Sequence, residues 1–170
     1  MSRVNRRLAF AVAATAVIAA AVVSNWTASR HDVRGDPVRA PIEFFDGATG
    51  DLADFAGTPV VINFWASWCP ACIAELPDFA EVSRETAGDV VFLGFNVQEI
   101  SLDGAMHLIE ETGVDYRLVH DRDGALYREF GAIAMPATVF IDSDGLVVRV
   151  HNGVLFADDL RRIIESELLS

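Results

Sequence analysis

The chain has 170 residues, enough for one domain of ordinary size once any targeting segment is set aside. It is acidic, with 25 Asp and Glu against 13 basic residues, a formal net charge of −12 and no lysine. That balance argues against a nucleic-acid partner, which needs a basic face for the phosphates, and it reads as a solvated, soluble surface.

Much of the 52% hydrophobic content is concentrated near the N-terminus. Residues 8–23 read LAFAVAATAVIAAAVV without a charge, and Arg3, Arg6 and Arg7 stand just before them. A basic flank followed by an uninterrupted apolar run sends the rest of the chain out of the cytoplasm. Extended to Trp26 the run can span a hydrocarbon core of about 30 Å, so residues 1–26 read as a signal-anchor. Cleavage near small residues such as Ala19 or Ala21, giving a secreted protein, is the alternative. Residues 27–41 are polar and aperiodic, a linker between membrane and domain. The domain proper is expected over residues 42–170.

Ile42–Phe45 suggests a short strand ending in the Asp46-Gly47 turn. Asp54–Pro59 reads as a loop. Val60–Trp65 is β-branched and aromatic, and apolar on both faces apart from Asn63, the pattern of a central strand. From Pro70 to about Ala87 the spacing predicts a helix with Ile73, Leu76, Phe79 and Val82 inward and a kink at Pro77. A second buried strand follows at Val90–Val97, then a helix at Leu102–Thr112 closed by Gly113. Ala125–Phe130 is a further helical stretch. Thr138–Ile141 and Leu146–His151 read as strands of a hairpin turning at Asp142–Gly145. Asp158–Leu169 is a closing amphipathic helix with Leu160, Ile163, Ile164 and Leu168 on one face. Glu43, Asp46, His120 and Asp121 read as surface residues. Strands alternating with helices, followed by a hairpin, define an α/β fold with a central mixed sheet flanked by helices.

The only two cysteines, Cys69 and Cys72, lie between the central strand and the first long helix. A bridge between them closes a tiny loop and removes little chain entropy, so a purely structural disulfide explains the pair poorly. Tetrahedral zinc usually needs two more ligands, and His31, His107, His120 and His151 are scattered; copper binding by the two thiols remains an alternative. A redox role accounts for the placement. Cys69 falls at a helix N-terminus, where unpaired N–H groups and the helix dipole favour the thiolate. Pro70 suits the first helical position. Cys72, nearly one turn on and more buried, can resolve a mixed disulfide formed at Cys69. Glu75 shares a helix face with Cys72 at i+3, where a carboxylate raises the thiol pKa and can accept its proton. Asn63, inside an apolar strand, must find hydrogen bonds; it either positions Glu75 or a water, or is a satisfied core amide. Trp65 reads as core.

FWASWCPAC resembles the active site of the thioredoxin superfamily. In that resemblance Trp68 precedes the redox pair and forms part of the docking surface, and Pro77 takes the place of the helix-kinking proline. Met135-Pro136 takes the place of the cis-proline loop that faces the disulfide and receives substrate. The likeness is greatest to the membrane-tethered, extracytoplasmic TlpA/ResA/CcmG-like branch. Asn63 stands where thioredoxins carry a buried aspartate, Glu75 completes a C-x-x-C-x-x-E-x-P pattern, and Ser101–Gly113 is the inserted helix; an N-terminal strand extension is part of the same expectation. The resemblance covers about Ile42 to Leu169. It implies a protein thiol–disulfide oxidoreductase with no cofactor beyond the Cys69–Cys72 disulfide. By resemblance it reduces protein disulfides, such as those of apocytochrome c or of copper-site cysteines. A membrane electron-transfer partner would recycle it. The Pro-Ala dipeptide between the cysteines and Met135 depart from thioredoxin, and leave a disulfide-donating, DsbE-like oxidase as the alternative direction.

Overall fold

The computed structural model describes residues 35–170. The expected signal-anchor and most of the linker lie outside the described residues. Among those described, no helix is long and apolar enough to cross a membrane.

The described residues form seven strands: β1 (Pro41–Glu43), β2 (Thr49–Asp51), β3 (Val60–Trp65), β4 (Val91–Val97), β5 (Arg117–Asp121), β6 (Ala137–Ile141) and β7 (Val147–Asn152). Among the same residues are four α-helices: α1 (Pro70–Glu85), α2 (Leu102–Thr112), α3 (Ala125–Glu129) and α4 (Ala157–Glu167). A 3-10 turn at Leu52–Phe55 replaces the start of the expected loop. The main sheet runs β5-β4-β3-β6-β7, with β3, β4 and β5 parallel and β6 and β7 antiparallel. β1 and β2 form a separate antiparallel hairpin. This is the mixed, helix-flanked α/β sheet the pattern of elements implied.

All six residues of β3 are buried, as a strand with two covered faces requires. Its side chains alternate between two cores. Val61 packs with Phe79, Phe92, Phe140, Leu160 and Ile164, beneath α1 and α4. Trp65 packs with Leu76, Ala105 and Leu108, beneath α1 and α2. Ile62 and Phe64 point to the opposite face and meet Phe44, Leu93, Phe95 and Phe130. Each such side chain contributes about 1.5–3 kcal/mol by burial. The indole of Trp65 fits because β4 carries Gly94 beside it. A Cβ at 94 would stand 2.8 Å from Leu118 Cδ2 and 3.0 Å from Trp65 Nε1.

Several boundaries differ from expectation. The fold begins ahead of Ile42: Val38 and Ala40 are buried in the core, and Val38 N–H bonds the Gly145 carbonyl. Ile73 is exposed, because the inward stripe of α1 is taken by Cys72, Glu75, Leu76, Phe79 and Ala80. α1 runs through Pro77 without ending. β5 was not expected, and neither was β2. Arg117 and His120 give β5 a polar look, but Arg117 covers the Phe44 ring and His120 stacks on Phe45 at 4.2 Å. Asp121 is not a surface residue. It is buried, and its carboxylate accepts the N–H groups of Leu126 and Tyr127, holding the start of α3. Burial pushes its carboxyl up, although those two N–H groups work against the rise.

Candidate active site

β3 ends at Trp65, and the next four residues carry the chain to the N-terminus of α1. Cys69 is the N-cap of that helix, with Pro70 at its first turn. Its Sγ accepts the N–H of Cys72 at 3.2 Å, so an otherwise unpaired donor of the helix end is aimed at the sulfur. The same donor favours negative charge on Sγ once the bond is reduced. Cys69 and Cys72 form a disulfide. Cys69 retains 5% exposure and Cys72 none, which makes Cys69 the sulfur an outside thiol or disulfide can reach.

Glu75 follows one turn behind and is fully buried. Asn63 Nδ2 donates to its Oε1 at 2.7 Å, and the Leu155 N–H donates to its Oε2 at 2.8 Å. Burial drives its pKa from 4.5 up to about 7; the Leu155 and Asn63 donors oppose the rise, and Asp78 adds to it. The carboxyl thus changes protonation near neutral pH, on the inward face that also carries Cys72. Asn63 is therefore a partner of Glu75 rather than an isolated core amide.

Met135-Pro136 is a cis peptide, and Met135 packs against the cluster that contains both cysteines. Pro136 is buried, and its carbonyl accepts the Gly153 N–H at 2.9 Å. Trp65 is wholly buried; Trp68 is 46% exposed and donates from Nε1 to the Gln98 carbonyl at 3.2 Å. Ile100 and Leu102, which follow Gln98 in the chain, are exposed apolar residues.

Sequence reading missed Glu99. Its carboxylate accepts the N–H and hydroxyl of Ser67, the Asn96 amide, and the N–H groups of Ile100 and Ser101. Burial pushes its pKa up, but the Asn96 and Ser67 bonds outweigh that and hold it below the usual range. Glu99 ties the turn bearing Trp68 and Cys69 to the start of α2. The signal was there only in part: a lone Glu two residues past a buried strand and two before the N-cap Ser101. Leu155 gave no signal, since its contribution is a backbone N–H. Among the described residues no three His, Cys, Asp or Glu side chains group as metal ligands.

A solvent-reachable sulfur on a helix N-cap, a buried resolving sulfur and an acid of near-neutral pKa behind it make up the dithiol centre of a thioredoxin-fold oxidoreductase. Residues 37–163 match the Redoxin family, and the chain belongs to it. Among its relatives, the thiol-disulfide oxidoreductase ResA of Oceanobacillus iheyensis is 31% identical over 121 residues, 69% of this chain and 62% of that protein, so the match spans less than two thirds of that relative. ResA of Geobacillus thermodenitrificans is 30% identical over 123 residues, 71% of this chain and 70% of the relative. A secreted Mycobacterium tuberculosis disulfide oxidoreductase homologous to E. coli DsbE superposes with a TM-score of 0.68 at 25% identity, covering 75% of this chain and 95% of that one. The protein is a thiol–disulfide oxidoreductase of this ResA/DsbE type.

Proposed function

We propose that this protein works outside the cytoplasm as a reductant of protein disulfides, held to the membrane by residues 1–26. The observation that carries the direction is the buried acid behind the redox pair. A strongly oxidising dithiol is one whose reduced, thiolate form is stabilised. Here the ionisable side chain on the same helix face as Cys72 is a carboxyl, which disfavours a thiolate once ionised.

In the reduced protein the Cys69 thiolate attacks one sulfur of a substrate disulfide. The first substrate sulfur leaves as thiolate and takes a proton from solvent, and Cys69 is left in a mixed disulfide. Glu75 accepts the Cys72 proton. The Cys72 thiolate then attacks Cys69 Sγ, closes the Cys69–Cys72 bond and releases the second substrate thiolate. Two electrons have passed to the substrate, and a membrane dithiol donor must return two for the next cycle. Trp68, Met135 and Pro136 border the site where the substrate strand docks. Apocytochrome c and copper-site cysteines are substrates of the right chemistry.

Equilibration with glutathione tests the direction. A potential near about −270 mV supports a reductant, and one near about −120 mV makes the protein a disulfide donor instead. Cys69→Ala should abolish exchange with a model disulfide; wild-type exchange in that variant would remove the dithiol mechanism.

A further inference from the structure

Glu75 lies between two donors and an unused acceptor. Asn63 Nδ2 and the Leu155 N–H both point hydrogens at its oxygens, an arrangement suited to the carboxylate. The cycle proposed above also passes through the acid. A buried acid O–H must find an acceptor, and a second hydrogen facing the amide N–H is repelled. Among the described residues four buried oxygens that can accept are without a hydrogen-bond partner: Asn63 Oδ1, Asn96 Oδ1, the Tyr116 hydroxyl and Thr138 Oγ1. Asn63 Oδ1 and Thr138 Oγ1 concern Glu75 through the Asn63 amide. They belong together. Thr138 is the register partner of Asn63 across β3 and β6, so both side chains leave the sheet on the same face. Neither residue is more than 1% exposed.

We propose that Asn63 is a positioning residue that serves both forms of Glu75 by turning its side-chain amide end for end. Toward the carboxylate it donates from Nδ2. Toward the acid it accepts the O–H at Oδ1, and Nδ2 turns to the Thr138 hydroxyl. Each turn replaces one hydrogen bond to Glu75 with another, so the carboxyl stays one helical turn from Cys72 whether or not it holds the proton. Aspartate at position 63, when ionised, offers no donor to the carboxylate, and leucine serves neither form. Asp78 on the same helix and the Tyr116 phenol ahead of β5 are the other ionisable groups coupled to Glu75. A pKa of about 7 places both forms within reach of experiment. The inference rests on the proton-acceptor reading of Glu75.

The test is side-chain NMR of the oxidised full chain, in which neither cysteine titrates. At pH 9 the Asn63 NH2 protons should give cross-peaks to the Glu75 methylenes, and at pH 5 these should give way to cross-peaks with the Thr138 methyl. One unchanged pattern at both pH values overturns the proposal. Thr138→Val removes the second acceptor and should lower the midpoint of the change by about half a pH unit or more; an unmoved midpoint removes Thr138 from the scheme. Asn63→Leu should slow closure of a mixed disulfide at Cys69 by about tenfold. Failure of the proton-acceptor reading shows separately: Glu75→Gln would then close the mixed disulfide with the wild-type pH profile, whatever the amide does.

Discussion

A fully buried carboxyl carries a pH signature that can be worked out before any activity is assayed. Glu75 titrates at 4.5 in the unfolded chain and at about 7 in the fold. Between those values the folded state holds the proton and the unfolded state does not, so stability falls as pH rises. The loss is absent below pH 4.5 and complete above pH 7, where it reaches about 3 kcal/mol. Glu75→Gln has no such titration. Urea unfolding of the oxidised protein should show the variant gaining on wild type from pH 4 to pH 8 by on the order of that amount. A constant gap would mean that Glu75 is not buried as described. Glu99 works in the other direction, as a low-pKa carboxylate whose five hydrogen bonds need it ionised. Glu99→Ala strands the Ser67 and Asn96 donors. It should cost about 2 kcal/mol and change the fluorescence of Trp68, whose turn it anchors.

At the scale of elements, the packing of β3 against β4 depends on a missing side chain. Gly94→Ala places a methyl against Leu118, Trp65 and Tyr116 in a part of the core with no slack. The expected loss is about 1–3 kcal/mol, read as a lower denaturation midpoint with an unchanged slope. The central strand and its helix were legible because a six-residue strand, apolar but for Asn63, is followed closely by a C-x-x-C and a proline, each with a local physical meaning. Cys69, Cys72 and Glu75 were legible for the same reason: they are neighbours in the chain. Ile73 was misplaced because its apolar character said nothing of which stripe of α1 the sheet would cover. β5 was hidden by Arg117, His120 and Asp121, whose polarity is absorbed by an aromatic ring, a stacking partner and a helix end. Leu155 and Glu99 act across 80 and 32 residues, and no local pattern encodes such contacts.

For the molecule as a whole, the proposed division of labour between an N-terminal anchor and the domain makes a simple prediction. The full chain should sediment with membranes, and a version beginning at Gly35 should stay in the soluble fraction with its disulfide exchange intact. Full-length protein in the soluble fraction, at its uncleaved mass, would rule out the anchor. Contacts made late in the sequence also tie α4 to α1. Arg161 of α4 pairs with Glu81 and Glu85 of α1, and the Ala157 N–H binds Asp78 at 2.7 Å. These contacts seat the segment that brings Leu155 to Glu75. Under the proposed export the chain would reach the outside from its N-terminal end, and both thiols would emerge some eighty residues before the backbone group that completes their setting. During that interval the pair would be an ordinary dithiol, without the setting that Leu155 completes. A disulfide closed then would be made before the site is tuned, and a protein working in the proposed direction would need electrons before its first turnover.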